Sequence, residues 1–178
     1  MNKTLWFIIV IVLLGIATWG VIALVKGEAP QGPDQSVFYP AQNREHVPVG
    51  AAHSAYNSNP PSGGWHYALT AKKQFYNEPI DDGYALHNLE HGDIWITYHP
   101  RVPQSVKDEL KAFAFSRVLI SPREANDTDV ALVAWERLDA FNLEGGQLPK
   151  GRVDDFIKRY RNQGPERLPA GAMEATFN

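Results

Sequence analysis

The sequence predicts an α+β fold: a single transmembrane helix, then one small domain with a β-sheet core and two covering helices, in the order β-α-β-β-α after an irregular N-terminal half. Three observations predict it. An uncharged apolar run opens the chain, short alternating or β-branched runs fill its second half, and two stretches among them carry apolar residues at helical spacing.

The first run, Leu5 to Val25, has 21 residues without a charge, matching the roughly 20 needed to cross a bilayer as a helix. Trp6 sits where an interfacial indole is favoured, and Lys3 and Lys26 bracket the span. The rival is a cleaved signal peptide, whose apolar core of about 7–15 residues is shorter and ends in small residues. An anchor over residues 1–26 is therefore expected, with the membrane as a partner. Lys3 on one side, against Lys26, Glu28 and Asp34 on the other, biases the N-terminus to the cytoplasm and the domain to the extracytoplasmic side, periplasmic or cell-surface.

Residues 27–44 are rich in Pro, Gly and polar side chains and show no period, so an extended tether is expected there, with a globular domain over 45–178. Within that domain "NPPSGGWH" sets Pro60, Pro61, Gly63 and Gly64 just before Trp65 and His66. Such a stretch makes a specified turn that aims those two side chains, or an ordinary surface loop.

"DIWITYHP" alternates Ile94, Ile96 and Tyr98 against Trp95, Thr97 and His99, the period of a strand. "SVKDELKAF" follows as a helix, with Ser105 as its cap and Val106, Leu110 and Phe113 as its apolar stripe. "RVLIS" and "VALVAWERL" read as two buried strands separated by a polar loop. "GRVDDFIKRYRNQGPE" carries Val153, Phe156, Ile157 and Tyr160 at helical spacing and stops at Gly164-Pro165. Trp65, Trp95 and Trp135 lie in or beside buried runs and are expected in the core, the other reading being anchors of an interface.

Composition removes several functions. A formal charge of -3 and dispersed basic residues give no face for nucleic acid. Without cysteine there is no disulfide, thiolate zinc finger or cysteine nucleophile. Any metal must be held by imidazole, carboxylate or thioether.

All six histidines lie between positions 46 and 99. In "HNLEHG" a short helix would put His87 and His91 on one face, one turn apart, with Gly92 as its stop and Glu90 as ligand, orienting acceptor or base. "HNLEH" also fits the H-x-x-E-H pattern of a group of zinc peptidases. That reading is disfavoured, because such a motif needs a longer helix and a third ligand from another element, whereas this helix must become a strand within a few residues. The plain alternative leaves His87 and His91 as polar residues of a short helix, with Glu90 paired to a lysine or arginine.

Taken together, "HV", "PPSGGWH", "GYALHNLEHGDIWITYHP", "AW" and "GPE" resemble a bacterial domain family of unknown function, often membrane-anchored, whose signatures are HNLEHG or HSLEHG and PPxGGxH. The resemblance covers about residues 45–166. It implies a shared site at His66, His87, Glu90 and His91, with His46 matching a less certain upstream position. Many relatives carry a cysteine between loop and turn, where this chain has "KKQFYNEP". The expected cofactor is a divalent metal ion, copper slightly favoured over zinc, since imidazoles without thiolate suit both. The expected function is an outward-facing metal-binding or metal-delivery module on the membrane. The alternative is a non-metal subunit docking on a membrane-protein partner.

Overall fold

The computed structural model describes residues 2–166, 168 and 176, and their side chains apart from those of residues 4, 5 and 22–28. The architecture is α+β, with a five-stranded sheet and four helices: α1 (Lys3–Glu28), β1 (Val37–Phe38), α2 (Asp82–Glu90), β2 (Ile94–Tyr98), α3 (Gln104–Lys111), β3 (Val118–Pro122), β4 (Val130–Ala134), β5 (Arg137–Phe141) and α4 (Lys150–Tyr160).

The expected transmembrane helix is corrected: among the described residues no helix is long and apolar enough to cross a membrane. The apolar run does fold as α1. The side chains described within it from Trp6 onward run from residue 6 to residue 21. The rest of the expected span lies outside the described side chains. Trp6 and Trp19 are exposed rather than packed on the domain.

The sheet runs β1-β5-β4-β2-β3. β2 and β3 are parallel, with Ile94 opposite Val118 and Tyr98 opposite Pro122, because α3 carries the chain back between them. The remaining pairs are antiparallel. The single run expected at "VALVAWERL" divides in two. Glu136 takes a positive φ of 61° just after Trp135, so β5 folds back on β4 with Ala134 opposite Arg137.

Every residue of β2 is buried, so its alternation separates two cores instead of core from solvent. Ile94, Ile96 and Tyr98 join Val106 and Leu110 of α3 and Val153, Phe156 and Ile157 of α4 on one face. Trp95, Leu119, Ala131 and Val133 face the other way, under Ala85, Leu86 and Leu89 of α2. At about 1.5–3 kcal/mol for each large apolar side chain fully buried, Leu86 and Leu89 fix α2 on its face of the sheet. The sheet is thus flanked by three helices, not the two expected.

Both covering helices expected from the sequence have shifted ends. α3 begins after Pro103, with no side-chain cap, and Ser105 falls inside its first turn. α4 stops at Tyr160, four residues before Gly164, and Asn162 leaves it with a φ of 61°.

Residues 31–38 run along α4 and the sheet edge. Gln31 and Gly32 donate their backbone N–H to Asp155, Ser36 Oγ lies 2.8 Å from Tyr160 Oη, and Val37 and Phe38 pair with β5.

Candidate metal centre

Helix α2 sets each of its residues to a different task by position. Asp81 caps the helix, accepting from Gly83 N at 2.9 Å. Leu86 and Leu89 face the sheet. Asn88 is fully buried and clamps the backbone of Ala71, accepting from its N–H at 2.8 Å and donating to its carbonyl at 3.0 Å. His87 and Glu90, three residues apart, share the remaining face. Gly92 then reverses the chain at φ +82°, a conformation that favours glycine.

The Pro-Gly loop reaches the same place. His66 forms a parallel bridge with His46: Val47 N donates to His66 O at 2.8 Å and His66 N to Glu45 O at 3.1 Å. Gly64 has φ +121°, and a Cβ there would press on the Tyr56 ring at 3.3 Å. Its carbonyl accepts from His66 Nδ1 at 2.8 Å. A carbonyl can only accept, so the proton is on Nδ1 and the lone pair of a neutral His66 is on Nε2.

His46, His66, His87 and Glu90 converge: one ligand atom of each lies within 4.8 Å of all the others. Donor atoms about 2.0–2.2 Å from one tetrahedral ion lie about 3.3–3.6 Å apart, so the widest pair must close by about an ångström when an ion binds. His66, His87 and Glu90 are buried and His46 is exposed, giving the cluster one open side. The rings of His46 stand 4.8 Å from those of both His66 and His87. Trp135 meets the His66 ring edge-on at 6.2 Å, closing one wall.

His91 is not in this converging group. It lies beside His87, with ring centres 4.5 Å apart, and its Nε2 is 3.7 Å from Glu166. His53 stacks on Trp65, and His99 Nδ1 accepts from Arg101 N; both lie away from the cluster.

Two neighbours had no part in the expected site. Arg44 Nε donates to Glu90 Oε1 at 2.6 Å, while its Nη2 reaches Glu166 Oε1 at 2.9 Å. Glu166 follows Gly164-Pro165, whose backbone lies on the α2 turn: Glu166 N donates to Glu90 O at 3.0 Å and Asn162 N to Gly92 O at 2.6 Å. "GPE" was visible in the sequence as a stop signal. Arg44 had no signal, being one arginine in a polar stretch.

The electrostatics are those of a donor set. Burial, then the neighbouring His91, His66 and His46, push the His87 imidazolium pKa down to about 4, against a smaller opposing pull from Glu90. His87 is neutral at neutral pH, with Nδ1 buried and without a hydrogen-bond partner among the described residues. At Glu90, burial is the largest single influence and acts upward. The hydrogen bonds and charges of His66 and Arg44 together outweigh it and bring the carboxyl to about 2. Glu90 Oε2 faces His66 Nε2 at 3.0 Å. Two lone pairs that close require a proton or another cation between them. The cluster could hold a metal ion.

No curated protein and no solved structure matches the chain. The sequence pattern of one family does, over residues 46–172, a stretch that contains all four converging side chains and strands β2 to β5. The chain belongs to the family described as Protein of unknown function (DUF3105).

Proposed function

We propose that this domain binds one transition-metal ion through His46, His66, His87 and Glu90. The observation that carries the reading is the convergence of three histidines and a carboxylate within 4.8 Å of one another, with His87 buried and neutral among them. The Gly64 carbonyl supports it further, since it holds the His66 proton on Nδ1 and leaves Nε2 as the donor.

Three nitrogens, one carboxylate oxygen and no thiolate suit copper(II) and zinc(II), with copper(II) the tighter by the general order of divalent affinities. Metal binding or delivery is the function this supports. The hydrolase alternative is weakened by two features of the same geometry. His91, the second histidine of H-x-x-E-H, is outside the donor group. Both oxygens of Glu90 already have partners, Arg44 and His66, where a general base would face a bound water. Of the three tryptophans the docking alternative would use, Trp95 is fully buried, while Trp65 and Trp135 are half-buried.

Metal content of the purified chain and titration of the metal-free chain with copper(II) and zinc(II) test the proposal. One equivalent is expected. His66→Ala and His87→Ala should weaken binding beyond the roughly 10–100-fold typical of residues that only support a ligand, and His91→Ala should stay within that range. A chain that neither carries nor takes up either metal would refute the reading.

A further inference from the structure

We infer that Arg44 sets which class of metal the site accepts, by occupying one oxygen of Glu90 and leaving that carboxylate a single donor. The inference rests on the metal-binding reading above and adds selectivity to it.

The two oxygens of Glu90 have different environments. Oε1 accepts from Arg44 Nε at 2.6 Å, while Oε2 is turned toward His66 Nε2 at 3.0 Å. A separation of 3.0 Å is close to that of two adjacent ligands on one ion, about 2.9–3.4 Å for bonds of 2.0–2.1 Å at angles from 90° to tetrahedral. Oε2 therefore needs little movement to coordinate. Oε1 cannot join it without giving up a charge-assisted hydrogen bond of the strong kind.

Arg44 is fixed from both ends. Its backbone is two residues before His46, on the segment bridged to His66 through the Val47 N to His66 O bond. Its other guanidinium nitrogen is held by Glu166 at 2.9 Å, from a segment pinned to the Glu90 carbonyl. The Glu166 end is half-exposed and adds little energy. What it adds is orientation, keeping Nε on Glu90.

Three imidazoles and one monodentate carboxylate make four protein donors. That number suits zinc(II) and copper(II). Ions that prefer six or more ligands, mostly oxygen, such as calcium and manganese(II), lose the bidentate carboxylate they use best. Without Arg44 the carboxylate regains its second oxygen and its full negative charge.

The full chain and Arg44→Ala are stripped of metal and titrated with zinc(II) and manganese(II), and loaded with cobalt(II) as a spectroscopic probe. In the unaltered chain zinc(II) should bind far more tightly than manganese(II), and cobalt(II) should show the intense visible bands of a four-coordinate ion. In Arg44→Ala the ratio of zinc to manganese affinity should fall by about 10–100-fold and the cobalt bands should weaken. Arg44→Lys, which keeps the charge and the fold but not the fixed fork, should give an intermediate ratio and serves if the alanine variant does not fold. An unchanged ratio and spectrum in a variant that still binds zinc overturns the role of Arg44 and leaves the site intact. Failure of the unaltered chain to bind any of the three ions overturns the metal reading, and this inference with it.

Discussion

His87 and Glu90 are three residues apart on one helix face, and burial favours the neutral form of both; only at Glu90 do the His66 and Arg44 partners outweigh it. His87 is kept neutral, at about 4 against an ordinary 6.5, while Glu90 is kept ionised, at about 2 against 4.5. Between pH 6.5 and 4 the unfolded chain takes up a proton at His87 that the folded chain refuses. Between 4.5 and 2 the same holds at Glu90. In both windows the unfolded state binds more protons, so stability falls as pH falls. For the metal-free chain, the unfolding free energy from urea titrations should decline from about pH 6.5 downward by an amount on the order of 2–3 kcal/mol by pH 4, and His87→Gln should flatten that limb. A midpoint independent of pH across this window in the unaltered chain would contradict the burial of a neutral His87.

At the scale of elements, the α2 turn is shaped by a contact with the segment after α4. A Cβ on Gly164 would run into the Glu90 carbonyl oxygen and the Gly92 nitrogen, both backbone atoms that cannot swing away. Gly164→Ala must therefore displace the turn that carries His87 and Glu90. A cost of about 1–3 kcal/mol is expected, as for overpacking in a core, together with a loss of metal affinity although no donor is altered. Comparing urea midpoints and zinc titrations for Gly164→Ala and for Gly151→Ala, where a Cβ meets nothing within 4 Å, checks it. Equal behaviour of the two variants would mean that the 164–166 segment does not support the site.

Across the whole molecule, the donors come from three stretches far apart in sequence, near residues 46, 66 and 87–90. An unfolded chain cannot present them together, so binding energy adds to folding energy: about 2.7 kcal/mol at a free metal concentration one hundred times Kd. Thermal melting with and without copper(II) should show a higher Tm when metal is present, reversed by a chelator. His46→Ala, His66→Ala and His87→Ala should lose the increment together. His53→Ala and His99→Ala should keep it, since those rings rest on Trp65 and on Arg101 N.

The α+β class and the positions of β2, α3, β3, β4 and α4 were legible in the sequence, because each carries its own period of apolar residues over at least five positions. So was the short helix of "HNLEHG" with its stop at Gly92, although its start at the Asp81 cap was not. β1 and β5 were not. One is two residues long, and the other is joined to β4 by a turn whose Glu136 takes a positive φ that its side chain does not announce. The expectation of a membrane span came from local hydropathy over 21 residues, and the described residues hold no such helix. Sequence spacing placed His87, His91 and Glu90 on one turn. Only the tertiary structure decided that His46 and His66 meet His87 and Glu90 while His91 turns to Glu166. The reason is physical: spacing along one helix fixes the relation of residues within it, but which ring faces a loop 20 residues away depends on how Leu86 and Leu89 seat α2 on the sheet, and on the Arg44 and Gly164 contacts that close around it.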